Sequence, residues 1–243
     1  MTGWRVAVLA GLLAMAGQGS VAAAGPQASV VVELFTSQGC SSCPPADSIL
    51  ADLAERDGVI ALALHVDYWD HLGWRDSFAS PMNAKRQRAY AKAFGERTVF
   101  TPQIIVNGRH GVIGSRRDEV EAAVDGAAGA SMPAELGIVA EADGLTVTLA
   151  AAAAPPPAAR VLYVVYAHPQ DVEITRGDNS GQDVTYHNVV TSLMRLGEWH
   201  GEARRWDLPI PQEAKGVAIL VQAEDTMEIL GAAGHEFAPE ADQ

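Results

Sequence analysis

The two cysteines of this chain, Cys40 and Cys43, stand two residues apart at the end of an apolar run, Val30-Val31-Val32-Glu33-Leu34-Phe35. A helix-like stretch, Pro44 to Arg56, follows them directly. A cysteine pair at a strand-to-helix junction is where thiol–disulfide chemistry is usually built. The helix N-terminus turns unpaired N–H groups and a partial positive charge toward the first sulfur, which stabilises its thiolate. A second thiol three residues on can then resolve a mixed disulfide. As an inert staple the pair would contribute little, since closing so short a loop removes roughly 2 kcal/mol of unfolded-chain entropy. The staple and a metal site are the two alternatives.

Residues 1–24 read as a signal peptide. Arg5 forms a short basic region, Val6 to Ala16 the apolar core, and Ala22-Ala23-Ala24 the small-residue cleavage site before Gly25. The expected location is therefore periplasmic or secreted, an oxidising setting where a disulfide persists. No later segment reaches the roughly 18 apolar residues of a span, so no membrane insertion is expected after cleavage. The formal net charge of −13 argues against nucleic acid and anionic membranes as partners. Two cysteines in 243 residues exclude a disulfide-dense scaffold, so folding must rest on hydrophobic cores.

Residues 25–128 and 129–243 read as two units. In the first, Ser29–Phe35 and Val59–Val66 are buried-strand runs, and Ala46–Arg56 and Pro81–Phe94 have helical character. Ile104-Ile105-Val106, Asn107-Gly108 and Gly111-Val112-Ile113 form a hairpin with a two-residue turn, and a last helix runs from Ser115 through Val124. In the second unit strands are expected at 136–142, 145–150, 161–167, 184–196, 217–223 and 227–232. With Cys-x-x-Cys after the first strand and Thr101-Pro102 opening the third, the first half resembles a thioredoxin fold. The expected fold class is an α/β thioredoxin-like domain followed by an antiparallel β-sandwich-like domain.

That resemblance implies roles for particular residues. Cys40 would be the exposed nucleophile and Cys43 the shielded resolving thiol. Pro102 would follow a cis bond, and with the Thr101 carbonyl would hold a substrate backbone. Glu33, the one charge in the first strand, is the candidate buried proton acceptor, with an edge-facing or paired glutamate as its alternative. Asp67, Trp69 and Asp70, at the end of the second strand, form a possible substrate rim or, alternatively, pack inward and cap a turn. Pro44-Pro45 departs from the thioredoxin pattern, because the regular helix should begin only there. His65, His71 and His110 lack tight spacing to the cysteines, and no metal or other cofactor is assigned.

A wider resemblance runs over nearly all of the expected mature chain. It is carried by the stretch from Glu33 to Asp47, by Asp67-Tyr68-Trp69-Asp70, by Thr101-Pro102-Gln103 and by Tyr186-His187-Asn188-Val189-Val190. These resemble a family of exported bacterial proteins of uncharacterised function. The reading is a thiol–disulfide oxidoreductase acting on a protein or small-thiol disulfide partner. Its alternative is a non-catalytic soft-metal (copper) carrier or partner-binding module on the same fold.

Overall fold

The computed structural model describes residues 28, 30–141 and 143–238; the expected signal peptide, residues 1–24, lies outside them. The two unbroken apolar runs become strands β1 (Val30–Thr36) and, after helix α1 (Pro44–Ala54), β2 (Val59–His65). α1 starts on its two prolines, whose fixed φ suits a first turn and whose missing N–H groups would be unpaired there anyway. It buries Ala46, Ile49, Leu50 and Leu53, and each large apolar side chain contributes about 1.5–3 kcal/mol by leaving water. α2 (Pro81–Ala93) is capped by the Ser80 hydroxyl, which accepts from the Met82 N–H. β3 (Gln103–Val106) and β4 (His110–Ile113) form the expected hairpin, in which Asn107 and Gly108 take positive φ of 48° and 65°. α3 (Arg117–Ala127) follows. The four strands make one mixed sheet in the order β2-β1-β3-β4, with only β1 and β2 parallel.

The rest of the described chain is strand: β5 (Leu136–Glu141), β6 (Gly144–Leu149), β7 (Ala159–Ala167), β8 (Gln170–Ile174), β9 (Gln182–Tyr186), β10 (Val190–Trp199), β11 (Arg204–Leu208), β12 (Ala214–Ala223) and β13 (Ile229–Glu236). They form a second sheet, β10-β7-β12-β13, a third, β11-β6-β5, and a separate β8–β9 hairpin.

Packing runs through the layers without a break. One face of the first sheet, with Val32, Leu34, Ala61 and Ile104, lies against α1 and α3. Its other face, with Val31, Phe35, Leu62 and Ile105, packs on Leu162, Val164, Ala218 and Leu220 of the second sheet and on Tyr90 of α2. The far side of the second sheet closes on Ile138, Leu145 and Val147 of the third.

This corrects the expected fold class, an α/β thioredoxin-like domain followed by an antiparallel β-sandwich-like domain. Strands make up 41% of the structure against three α-helices among the described residues, and they are distributed over several small sheets rather than alternating regularly with helices. The physical reason lies in the shared core: a sheet, not a row of crossover helices, covers most of one face of β1 and β2. The expected strand over 184–196 is also two strands, broken where Asn188 takes φ 49°. At that break Asn188 donates its side-chain amide to the Ala61 carbonyl (2.9 Å), and its own carbonyl accepts from the Ala63 N–H (3.0 Å). The second half is thus stitched to the edge of β2. No helix among the described residues is long and apolar enough to cross a membrane.

Candidate functional site

Cys40 and Cys43 form a disulfide with Cα atoms 5.4 Å apart. The loop that carries Cys40 is tightly tied. Cys40 N–H donates to the Ser37 carbonyl (3.1 Å), and Cys43 N–H to the Cys40 carbonyl (3.1 Å). Gln38, fully buried, donates its N–H to Asp76 Oδ2 (2.8 Å), while its Oε1 accepts from the Trp74 indole (2.8 Å). Two hydroxyls lie on Cys40 Sγ, Thr101 at 3.2 Å and Ser42 at 3.4 Å; a disulfide sulfur carries no proton, so both donate. Trp69 Nε1 in turn donates to Thr101 Oγ1 at 2.7 Å and fixes that hydroxyl in place.

Beneath the loop lies a buried polar cluster. Thr36 Oγ1 donates to Asp47 Oδ1 (2.8 Å), and His65 Nδ1 meets Asp76 Oδ2 at 2.7 Å. The His65 ring is held edge-on between Phe78 and Tyr186, with centroids 5.3 and 4.9 Å away. Burial pushes the Asp47 carboxyl up to about 7, against the opposing effects of His65 and the Thr36 hydroxyl. Asp76 goes the other way. Burial pushes it up, but the His65 bond and charge and the N–H groups of Gln38 and Phe78 outweigh this and hold it below the usual carboxylate range. Asp47 Oδ2 and His65 Nε2 are both buried without a hydrogen-bond partner among the described residues. Tyr186 comes from the second half, and burial with the Asp47 and Asp76 charges raises its phenol.

Cys40, Cys43, Thr101 and Trp69 are brought together, and the Thr101–Pro102 peptide is cis. Asp70 caps a turn by accepting from the Asp76 N–H (3.1 Å), and Trp69 packs partly against the core; both are half-buried. Asp67 is half-buried and accepts the Asp70 N–H through its backbone carbonyl.

Glu33 is not beneath the cysteines. Neighbours in a strand point to opposite faces, and Leu34 takes the α1 side, so Glu33 faces the second sheet. There Arg86 grips it through two bonds of 2.6 and 2.9 Å, Tyr90 donates to it, and Arg86 reaches Gln222 at 3.0 Å. Burial opposes the charge on Arg86, but Glu33 outweighs it and holds the guanidinium above its ordinary value. Cys40 is not the exposed thiol that was expected, for it is 1% exposed and Cys43 is fully buried. The helix also caps at Cys43, because Pro44 and Pro45 set its first turn there.

Sequence reasoning missed Asp47, Asp76 and Asn179. Asp47 carried a usable signal: four residues after Cys43 on a helix, it shares that cysteine's face. Asn179 carried none. It arrives from the loop between β8 and β9, and its side-chain amide donates to the carbonyls of Gln38 (2.9 Å) and Cys40 (3.0 Å). Among the described residues no group of three or more His, Cys, Asp or Glu is arranged to hold a metal ion.

These features define a class of β-rich protein in which a buried Cys-x-x-Cys disulfide is held between a mixed N-terminal sheet and a loop from the C-terminal half. Residues 31–222 match the family described as "Protein of unknown function (DUF1223)", and the chain belongs to that family. It is similar to a crystal structure of a structural-genomics target from Agrobacterium tumefaciens, with 32% identity and a TM-score of 0.76, over 90% of this chain and 99% of that one. It also resembles HBP35 of Porphyromonas gingivalis in fold, at 14% identity and a TM-score of 0.58, over 89% of this chain and 78% of that one. A comparison with curated proteins finds no match.

Proposed function

We propose that this protein is an exported thiol–disulfide oxidoreductase that exchanges the Cys40–Cys43 disulfide with a protein or small-thiol partner. One observation carries the reading: both hydroxyl donors at the disulfide, Thr101 and Ser42, lie on Cys40 Sγ. Donors on a sulfur favour its thiolate and so mark Cys40 as the nucleophile of the reduced pair. In the oxidising direction a partner thiolate attacks Cys40 Sγ, a new disulfide forms to Cys40, and Cys43 leaves with the electron pair. A second partner thiol then displaces Cys40; the partner ends as a disulfide and the pair as two thiols. Asp47, one helical turn beyond Cys43 and titrating near 7, supports this reading as the group that trades a proton with the departing Cys43. Glu33 has no such part.

The test is capture. Cys43→Ser should accumulate mixed disulfides through Cys40 when mixed with a periplasmic extract, and Cys40→Ser should not. If neither variant captures anything while a known oxidoreductase treated alike does, the proposal fails.

A further inference from the structure

A disulfide whose two cysteines are 0–1% exposed cannot be reached by an incoming thiol until something moves. One element of the second half is bonded directly to the loop that carries it. The β8–β9 hairpin pairs with no other strand among the described residues, and its strands are anchored by packing instead: Tyr186 is buried in the core on the α1 side of the first sheet, with Val172 and Val184 against it. Its tip, residues 175–181, is exposed except at Asn179, which is 1% exposed. An Asn amide has two donor hydrogens, and here both are used, on the carbonyls of Gln38 and of Cys40 itself. The tip also lies close on Trp74: Gly177 has φ 79°, and a Cβ built on it would come within 3.0 Å of Trp74 Cβ. Trp74 in turn bonds Gln38. The tip thus reaches the cysteine loop directly through Asn179 and lies on Trp74 at Gly177.

We propose that the tip of the β8–β9 hairpin, residues 175–181, is a lid at the Cys40–Cys43 disulfide and that Asn179 is its latch. Lifting the tip breaks the two carbonyl bonds, loosens the Cys40 loop, whose bonds to Ser37 and Asp76 remain, and admits the partner thiol. As a step in catalysis this rests on the oxidoreductase reading; as a barrier to reduction it does not. The second half then controls who reaches the cysteines, which makes Asn179 a positioning residue rather than a catalytic one.

The purified protein, Asn179→Ala, Gly177→Ala and a control, Val147→Ala, are reduced with dithiothreitol, and the rate is read by alkylation mass shift. Both of its thiols are oxidised to an intramolecular disulfide as the protein pair takes up two electrons and two protons. Asn179→Ala removes two neutral hydrogen bonds from the closed state and should speed reduction about tenfold. Gly177→Ala keeps the latch groups but forces the tip off Trp74 and strains a positive φ, and should also speed it. Val147→Ala lowers the melting temperature through a cavity in the third-sheet core and should leave the rate unchanged, which separates the latch from global stability. If Asn179→Ala does not fold, Gly177→Ala carries the test. Wild-type rates in the folded latch variants overturn the lid. The equilibrium potential measured on the same samples judges the oxidoreductase reading separately: fast variants with a staple-like potential would keep the lid and remove the enzyme.

Discussion

Asp47 and Arg86 are the residues whose surroundings make the firmest demands. The Asp47 carboxyl is raised from 3.8 to about 7 in the folded protein, so the folded state holds its proton where the unfolded chain has lost it. By linkage, stability should fall as pH rises from about 4 to about 7 and level off above, by at most about 4 kcal/mol from this group. Asp76 is lowered instead, and its contribution is present above the ordinary carboxylate range and lost as pH falls through its folded value. Asp47→Asn keeps the Thr36 hydrogen bond but cannot ionise, so thermal unfolding from pH 4.5 to 8.5 should lose the Asp47 slope and show a higher melting temperature at pH 8. An unchanged profile would remove Asp47 from the buried cluster. Arg86→Ala should cost about 3–5 kcal/mol in chemical denaturation, because it leaves the buried Glu33 without its counter-ion; Glu33→Leu with Arg86→Met should recover most of that loss. The charge on Glu33 was legible in the sequence, but its partner was not, since the two are brought together only by α2 crossing a face of β1.

Single elements were more legible than their assembly. The apolar runs of β1 and β2, the proline start of α1 and the Asn-Gly turn of the β3–β4 hairpin each follow from local chemistry and appear where expected. β8 and β11 escaped notice because Gln170-Asp171-Val172-Glu173-Ile174 and Arg204-Arg205-Trp206-Asp207-Leu208 alternate polar and apolar residues over only five positions. Asn188 hid the division between β9 and β10, since its β-rich neighbours read as one run. That joint makes its own prediction. Asn188→Ala loses the bond to the Ala61 carbonyl and must hold a positive φ, so it should destabilise by about 1–3 kcal/mol in urea unfolding, and Asn188→Gly by less. Equal losses would mean that the φ value carries no cost.

At the scale of the whole molecule, the first and second sheets share one core through Phe35, Leu62, Leu64, Val164 and Leu220. The sequence could not announce this, because apolar positions along a strand do not say whether helix or sheet will cover them. The consequence is measurable. Residues 25–128 made alone should fail to fold, and the full chain should unfold in one transition seen alike by fluorescence and circular dichroism; a stable 25–128 fragment would contradict the shared core. The same continuity lets a second-half loop reach Cys40, and the redox activity proposed for this buried pair can be measured directly. The direct measurement is the reduction potential of the Cys40–Cys43 couple, set by graded thiol–disulfide buffers and read by alkylation. A value between about −120 and −270 mV is predicted, the range of exchanging Cys-x-x-Cys pairs. A couple well below about −300 mV, or one that never exchanges, would mark a structural staple and contradict the account.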